Sequence, residues 1–291
     1  MLKNFNYTPI LGWSVSRYGL FEACKRKYYY TYYAKHDLTY PRKKIDDLKN
    51  MTSIPLEIGN IVHDANKTLL KRLQKTERKI NQDQFFDYAW KMTQKYCSEK
   101  EFMEVYYGEI EKPDAQSLFD QVKISLRNFL DSQRFEWLTK EAIQNKAEWI
   151  IEPAGYGETR IGKLKAYCKV DFLFPVGDNL FILDWKTGKA DSIKHNKQLL
   201  GYASWASFHF AAHPEKINPI IVYLHPDYEE RRVNIENSAI QNFGDRVKRE
   251  TEEMYEFCVN INENIPLNKE MFPKTDKKKF CDYCNFRELC R

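Results

Sequence analysis

The stretch F-I-L-D-W-K at 181–186 closes an apolar run with an aspartate and a lysine two residues apart. Side chains alternate along a strand, so Asp184 and Lys186 share a face with Leu180 and Ile182, while Phe181, Leu183 and Trp185 take the other. Upstream, C-K-V-D-F-L-F places Asp171 in a second apolar strand, with Lys169 and Leu173 on its face. Cys168, Val170, Phe172 and Phe174 lie opposite. The short turn P-V-G-D-N between the two predicts a hairpin with a carboxylate on each strand. Two such carboxylates repel unless a cation lies between them, and a hard divalent ion such as Mg2+ or Mn2+ satisfies both. With Lys186 beside that ion, the set suits phosphodiester hydrolysis: a polarised phosphate, a water of lowered pKa and a cation against developing charge. The alternative is structural, an ion pair of Asp171 or Asp184 with Lys169 or Lys186.

Other residues bear on that choice. His63, in G-N-I-V-H-D-A-N, lies on a helix of apolar spacing. Gln198 and Tyr202 are four apart on the helix after Lys186, hence on one face. The core stripe of that helix is expected to be Leu199, Ala203, Ala206 and Phe210. Gln198, Tyr202, Trp205 and His209 form an adjacent polar and aromatic stripe suited to holding a nucleic-acid strand. The tail F-C-D-Y-C-N-F-R-E-L-C-R carries Cys281, Cys284 and Cys290. A closed tetrahedral site needs a fourth thiolate, for which Cys24 is the first candidate and Cys97, Cys168 and Cys258 are rivals. From spacing, zinc is the default and an iron–sulfur cluster the alternative, with free thiols in a frayed tail as the plain reading. A metal joining Cys24 to Cys281 would bridge 281 − 24 = 257 positions and restrict the unfolded chain by on the order of 5 kcal/mol.

The elements that must position these groups are legible in outline. Residues 14–34 predict one helix capped by the S-V-S hydroxyls, and 35–54 a polar loop or insertion. Ile58, Val62, Ala65, Leu69 and Leu73 predict a helix from Pro55 to about Gln74, followed by helices over about 82–106 and 114–135. Three β-rich segments come next, A-E-W-I-I-E, K-L-K-A-Y-C-K-V-D-F-L-F and N-L-F-I-L-D-W-K. A helix over about 192–212, strands at P-I-I-V-Y-L and R-R-V-N-I-E, and a helix over about 237–263 complete an α/β arrangement.

At 291 residues, with 43% apolar and 30% charged residues, the chain can bury a sizeable core and is not disordered. The net charge of +5 permits a polyanionic partner without requiring one. The start of the chain lacks the pattern of a signal peptide, no window has the apolar length of a membrane span, and the seven cysteines do not space like a secreted disulfide scaffold. A cytoplasmic protein with no membrane association is expected.

Taken in order, these residues resemble the PD-(D/E)XK nuclease superfamily, in particular its RecB-like branch with an iron–sulfur cluster. That branch includes AddB-type helicase–nuclease subunits and CRISPR-associated exonucleases. S-V-S-R-Y-G-L-F-E-A-C is similar to the branch's Ser-x-Ser helix with its first cluster cysteine, Cys24. G-N-I-V-H matches the Gly-x-x-x-His element at Gly59 and His63. V-D-F and L-D-W-K-T-G-K match the metal-binding Asp and Asp-x-Lys elements, Q-L-L-G-Y the Gln-x-x-x-Tyr element, and C-D-Y-C-N-F-R-E-L-C the cluster triad. One departure is Cys168, where relatives usually have glycine.

The resemblance implies a restriction-endonuclease-like core, a central mixed sheet flanked by helices, with a helical N-terminal region and a cysteine-ligated clasp joining the termini. It implies one domain over 1–291, with a helical insertion about 76–140 and a cluster-binding tail about 272–291. It further implies a metal-dependent DNA nuclease, an exonuclease on single-stranded or end-bearing DNA in repair, recombination or defence. His63, Asp171, Asp184 and the Trp185 carbonyl would hold Mg2+ or Mn2+, Lys186 would serve the attacking water, and Gln198 and Tyr202 would position the strand. Cys24, Cys281, Cys284 and Cys290 would hold a [4Fe–4S] cluster, with structural zinc the alternative, and Glu148 falls where many relatives have an acidic residue. The basic runs Lys25–Lys27, Arg42–Lys44 and Lys277–Lys279 could follow phosphates, and a helicase or other nucleic-acid-processing protein would be a partner. The rival readings are a non-catalytic DNA-binding scaffold of nuclease fold and an RNA-directed enzyme.

Overall fold

Apolar spacing becomes secondary structure in the computed structural model, which describes residues 2–76, 78–153, 155 and 157–290. Helices α1 (Val15–Ala23), α2 (Lys25–Tyr33), α3 (Arg42–Asn50) and α4 (Ile54–Lys75) come first. They are followed by α5 (Gln82–Glu99), α6 (Met103–Tyr106), α7 (Ala115–Leu130) and α8 (Gln133–Lys140). Strands β1 (Ile150–Ile151), β2 (Glu158–Ile161), β3 (Leu164–Tyr167), β4 (Phe172–Val176) and β5 (Asn179–Lys186) come next. The chain continues through α9 (Ser192–Phe210), β6 (Ile217–Tyr223), β7 (Glu229–Arg232) and α10 (Asn237–Tyr255). It finishes with β8 (Cys258–Asn260), β9 (Ile265–Pro266) and α11 (Lys278–Asp282). None of the described helices is long and apolar enough to cross a membrane.

Two compact units divide the chain, Thr52–Gly157 with Lys169–Ile240, and Met1–Met51 with Glu158–Cys168 and Gln241–Arg291. The former is built on a mixed sheet of order β1-β4-β5-β6-β7, flanked by helices as in a restriction-endonuclease-like fold. The expected hairpin forms: β4 and β5 are antiparallel, with Phe172 opposite Leu183 and Phe174 opposite Phe181. Strands β5 and β6 run parallel, with Asp184 beside Ile221. Parallel neighbours need a crossover, and α9 supplies it. On one sheet face Phe172, Phe174, Leu183, Trp185, Ile220 and Val222 join a core with Val62, Leu69 and Phe129 from α4 and α7. Each such side chain contributes roughly 1.5–3 kcal/mol on burial. Together they offset the several kcal/mol that enclosing a carboxylate on β5 costs.

In the other unit, β2 pairs with β3 and β8 with β9 as two small antiparallel ribbons. Trp13 is fully buried, donates from Nε1 to Glu250 Oε2 at 2.8 Å, and meets the Phe243 ring edge-on. Gly12 cannot carry a side chain there, because a Cβ would fall 2.3 Å from the Tyr167 ring. Tyr28, Tyr29 and Tyr33 of α2 surround the buried Phe272 ring.

Several boundaries differ from those expected. The helix expected over 14–34 is interrupted at Cys24, whose backbone is extended and whose thiol accepts from Lys27 N at 3.4 Å, capping α2. Residues 35–54 contain α3 in place of a loop; only its Ile45 and Leu48 face inward, and exposed Arg42–Asp46 and Lys43–Asp47 pairs support it. The helix expected over 82–106 stops at Glu99 where Lys100 turns extended, and the one over 114–135 breaks at Ser132, which caps α8. The single strand expected through 164–174 is two, in different sheets, so Asp171 stands just before β4 rather than inside it. β2 has no expected counterpart, since E-T-R-I offers one large apolar residue. The helix expected to run to 263 ends at Tyr255, because Cys258 to Asn260 pair with β9.

On β7, Glu230 is clamped by Arg134, with Nε to Oε1 at 2.7 Å and Nη2 to Oε2 at 2.8 Å, and accepts from the Tyr228 hydroxyl at 2.7 Å. Burial pushes this carboxyl up, but the Arg134, Tyr228 and Arg232 donors outweigh it and hold the pKa at about 2, against an ordinary 4.5. A depressed pKa contributes stability that is complete above the ordinary value and is lost as pH falls from about 4.5 towards about 2. Glu230→Gln is expected to cost about 2 kcal/mol at pH 7 and to flatten the acid limb of stability, as read by urea melts from pH 7 to 3.

Candidate active site

Strand β5 delivers Asp184 and Lys186 on one face, and the Lys186 ammonium closes on Asp184 Oδ2 as an ion pair. Asp184 is 2% exposed, and its Oδ2 makes no hydrogen bond of ordinary geometry besides that contact. Helix α9, arriving over the same strand, directs Gln198 Nε2 to Asp184 Oδ1 at 3.0 Å and the Tyr202 hydroxyl to the same oxygen. The Tyr202 hydroxyl in turn accepts from Gln198 Nε2.

The β4–β5 ladder begins at Phe172 opposite Leu183, so the backbone groups of Trp185 lie past its end. Asp171 Oδ2 takes the Trp185 N–H at 3.1 Å. His63, on α4, places Nε2 3.0 Å from the Trp185 carbonyl oxygen and Nδ1 3.3 Å from Asp171 Oδ2. The sequence-predicted set of His63, Asp171, Asp184, Lys186, Gln198 and Tyr202 is thus brought together around the end of β5.

Electrostatics follow from enclosure. Burial pushes the Asp184 carboxyl up against the pull of Lys186, and neighbouring Asp171 adds to the rise. Burial also opposes charge on Asp171, yet His63, Lys186 and the Trp185 N–H hold its carboxyl below the ordinary range. Burial alone would lower His63, but Asp171 outweighs it and lifts the imidazole to about 9. The carboxylates are therefore neutralised by an imidazolium and an ammonium.

The group opens into a cleft of about 400 Å³ lined by Gly59, His63, Asp171, Trp185, Lys186 and Thr187, among others. Glu148, expected as an acidic neighbour, is exposed and does not line this cleft; Glu152, four residues on, does. Both glutamates stand in A-E-W-I-I-E, and nothing in their spacing tells that the backbone bends at the second with a positive φ. Lys100 and Lys169 also line the cleft, and neither stands out in the sequence as a cleft residue. The expected strand-holding stripe on α9 is corrected: Tyr202, Trp205 and His209 are 3%, 1% and 6% exposed, packed into the interior because α9 is covered on most sides, and neither Gln198 nor Tyr202 lines the cleft. Leu199, Ala203 and Ala206 are buried as expected, while Phe210 is only half-buried.

Cys24, Cys281, Cys284 and Cys290 fall in one unit. The tail is docked there rather than frayed: Arg26 Nε donates to the Phe272 carbonyl at 2.9 Å, Asn285 Nδ2 to the Leu48 carbonyl at 2.7 Å, and Phe286 is buried. Burial pushes the Cys284 thiol up, and Cys24 and Cys281 add to the shift; for Cys290, burial is joined by Cys284 and Cys24. Of the rivals, Cys258 lies beside the Tyr33 hydroxyl, Cys97 packs against the core of the sheet-bearing unit, and burial alone lifts Cys168 to about 12.

Among the described residues, no three His, Cys, Asp or Glu side chains are arranged to hold a metal ion. Lys186 on Asp184 Oδ2, with Gln198 and Tyr202 on Oδ1, accounts for this at the carboxylate pair. The donors themselves fit Mg2+ or Mn2+: hard oxygens, one imidazole, and a buried carboxylate oxygen without a hydrogen bond. Cys24, Cys281, Cys284 and Cys290, within one unit, have the donor chemistry of a centre held by four thiolates.

Tyr202→Phe removes one of the two donors to Asp184 Oδ1 and is expected to cost about 1.5–3 kcal/mol of stability in denaturant melts, the range for hydrogen bonds to charged groups; a loss under about 0.5 kcal/mol would contradict the assignment of that donor.

No curated protein matches the chain in sequence. Two solved structures are similar at low identity. One, a "Putative exonuclease" from Eubacterium rectale, is 12% identical, covers 92% of each chain and has a TM-score of 0.42. The other, SSO0001, is 16% identical over 68% of this chain and 80% of its own, with a TM-score of 0.29. The sequence profile of the PD-(D/E)XK nuclease superfamily matches residues 12–291, and the chain belongs to that superfamily.

Proposed function

We propose that this nuclease-family protein is a divalent-metal-dependent deoxyribonuclease that acts as an exonuclease on single-stranded or end-bearing DNA. The observation that carries this reading is that His63, Asp171 and Lys186 line one cleft, with the enclosed Asp184 Oδ2 held against the Lys186 ammonium behind it. Two neighbouring carboxylates suit a doubly charged ion.

His63, Asp171, Asp184 and the Trp185 carbonyl would hold Mg2+ or Mn2+, which supplies polarisation of a phosphoryl oxygen and a more acidic bound water. Lys186, next to Asp184, faces the charge that develops on the phosphate and orients the attacking water. The water oxygen forms a bond to phosphorus as the water gives up a proton to solvent, the bond to the leaving 3′ or 5′ oxygen breaks, and that oxygen takes up a proton from solvent. Gln198 and Tyr202 fix Asp184 through Oδ1, so that this carboxylate does not have to reorganise during the step.

Cys24, Cys281, Cys284 and Cys290 would hold a [4Fe–4S] cluster, which supplies a covalent tie between the start and the end of the chain. A cytoplasmic setting and a helicase-type partner that delivers DNA ends belong to the same reading.

Incubating labelled single-stranded DNA with the protein and Mg2+ or Mn2+ is expected to yield short products, and EDTA is expected to stop the reaction. Asp184→Asn and Lys186→Gln are each expected to lower the rate by at least about 100-fold. Unchanged cutting by either variant would sink the mechanism. Protein purified without air is expected to be brown, absorbing near about 400 nm; colourless protein with stoichiometric zinc would replace the cluster by a structural zinc site.

A further inference from the structure

Glu152 follows directly on β1 with a backbone φ of +40°, a region few residues other than glycine adopt. It also precedes Pro153, a context that ordinarily drives the backbone to extended conformations. Its N–H donates to the Asp171 carbonyl at 2.8 Å, which holds this conformation beside the site. The side chain is 11% exposed, with Oε2 2.7 Å from Lys67 Nζ and 3.9 Å from Lys169 Nζ.

Both lysines are tied to the site by sequence. Lys67 stands one helical turn beyond His63 on α4, and Lys169 two residues before Asp171. Glu152 and Lys169 line the same cleft as His63, Asp171 and Lys186. Two ammonium groups that meet on a carboxylate at the wall of a cleft present the charge pattern that a phosphate group would satisfy. They would repel a cation, so Glu152 is not suited to a second metal ion. A structural pair in the interior would not require a left-handed backbone before proline, and backbone strain of this kind collects where a side chain must be aimed.

We propose that Lys67 and Lys169 form a subsite for a DNA backbone phosphate adjacent to the one cleaved, and that Glu152 fills this subsite in the free protein and yields it to the incoming strand. The inference rests on the nuclease reading for its substrate but not for its test. Free protein then carries a built-in competitor: DNA binds only by displacing the Glu152 carboxylate from the two ammonium groups. Weak or non-phosphate ligands are rejected at this step.

The test is fluorescence anisotropy of a labelled oligothymidylate in EDTA, where no cleavage occurs, over a series of salt concentrations. Glu152→Gln is expected to bind about 3–10-fold more tightly than the unaltered protein, because the competitor has lost its charge. The Lys67→Gln, Lys169→Gln double variant is expected to bind about 10-fold more weakly, with a log–log salt slope shallower by about 0.7, the value for one phosphate on a single strand. Glu152→Gln binding at or below the unaltered affinity would overturn the proposal. If Glu152→Gln does not fold, the double variant decides alone, and unchanged affinity and slope overturn it. Failure of the unaltered protein to cut the same oligonucleotide with Mn2+ would sink the nuclease reading separately.

Discussion

Two carboxylates enclosed within a few ångströms of backbone are the constraint around which the sheet-bearing unit is arranged. Each is costly to bury, and each raises the cost of the other. Asp184 responds by rising in pKa, while Asp171 is held down by the imidazole of His63. Lys186 and His63 are the cations that make the arrangement tolerable in the free protein, the first from β5 itself and the second from α4. A divalent ion is a better partner for two such groups than either cation singly, which is why the same residues read as a metal site.

The fold supplies these groups through ordinary packing. Leu183 and Trp185 are locked into a core with α4 and α7, and period-two alternation then forces Asp184 and Lys186 to the opposite face. The parallel partner β6 requires a crossover, and the crossover helix α9 is what carries Gln198 and Tyr202 over Asp184. The hairpin partner β4 starts late, leaving the Trp185 N–H and carbonyl past the end of the ladder for Asp171 and His63 to take. A one-residue slip of β5 would send both charges into the aliphatic and aromatic core, so core packing enforces the register of the site.

Much of this is legible in the sequence, for identifiable reasons. Asp184, Lys186 and Asp171 interrupt apolar strands, and charges there demand an explanation. His63, Gln198 and Tyr202 sit at helical spacings that fix their faces once the helices are recognised. What escapes a reading of the sequence depends on where the backbone turns. At Glu152 the backbone bends with a positive φ that the sequence does not announce. Trp205 and His209 read as part of an open stripe because periodicity reports which residues share a face, not how many faces a helix has covered. The α3 helix hides because two buried residues make no period, and Cys24 breaks a helix through its own thiol, a weak acceptor rarely considered as a cap.

The central claim is that Asp171 and Asp184 form a site for one divalent ion. Its most direct test is titration of Mn2+ into the protein, with free ion followed by electron paramagnetic resonance. The account predicts one bound ion per chain, with binding lost in Asp171→Asn and in Asp184→Asn. Binding that persists in both variants, or cutting of DNA by protein that binds no Mn2+ or Mg2+, would contradict it.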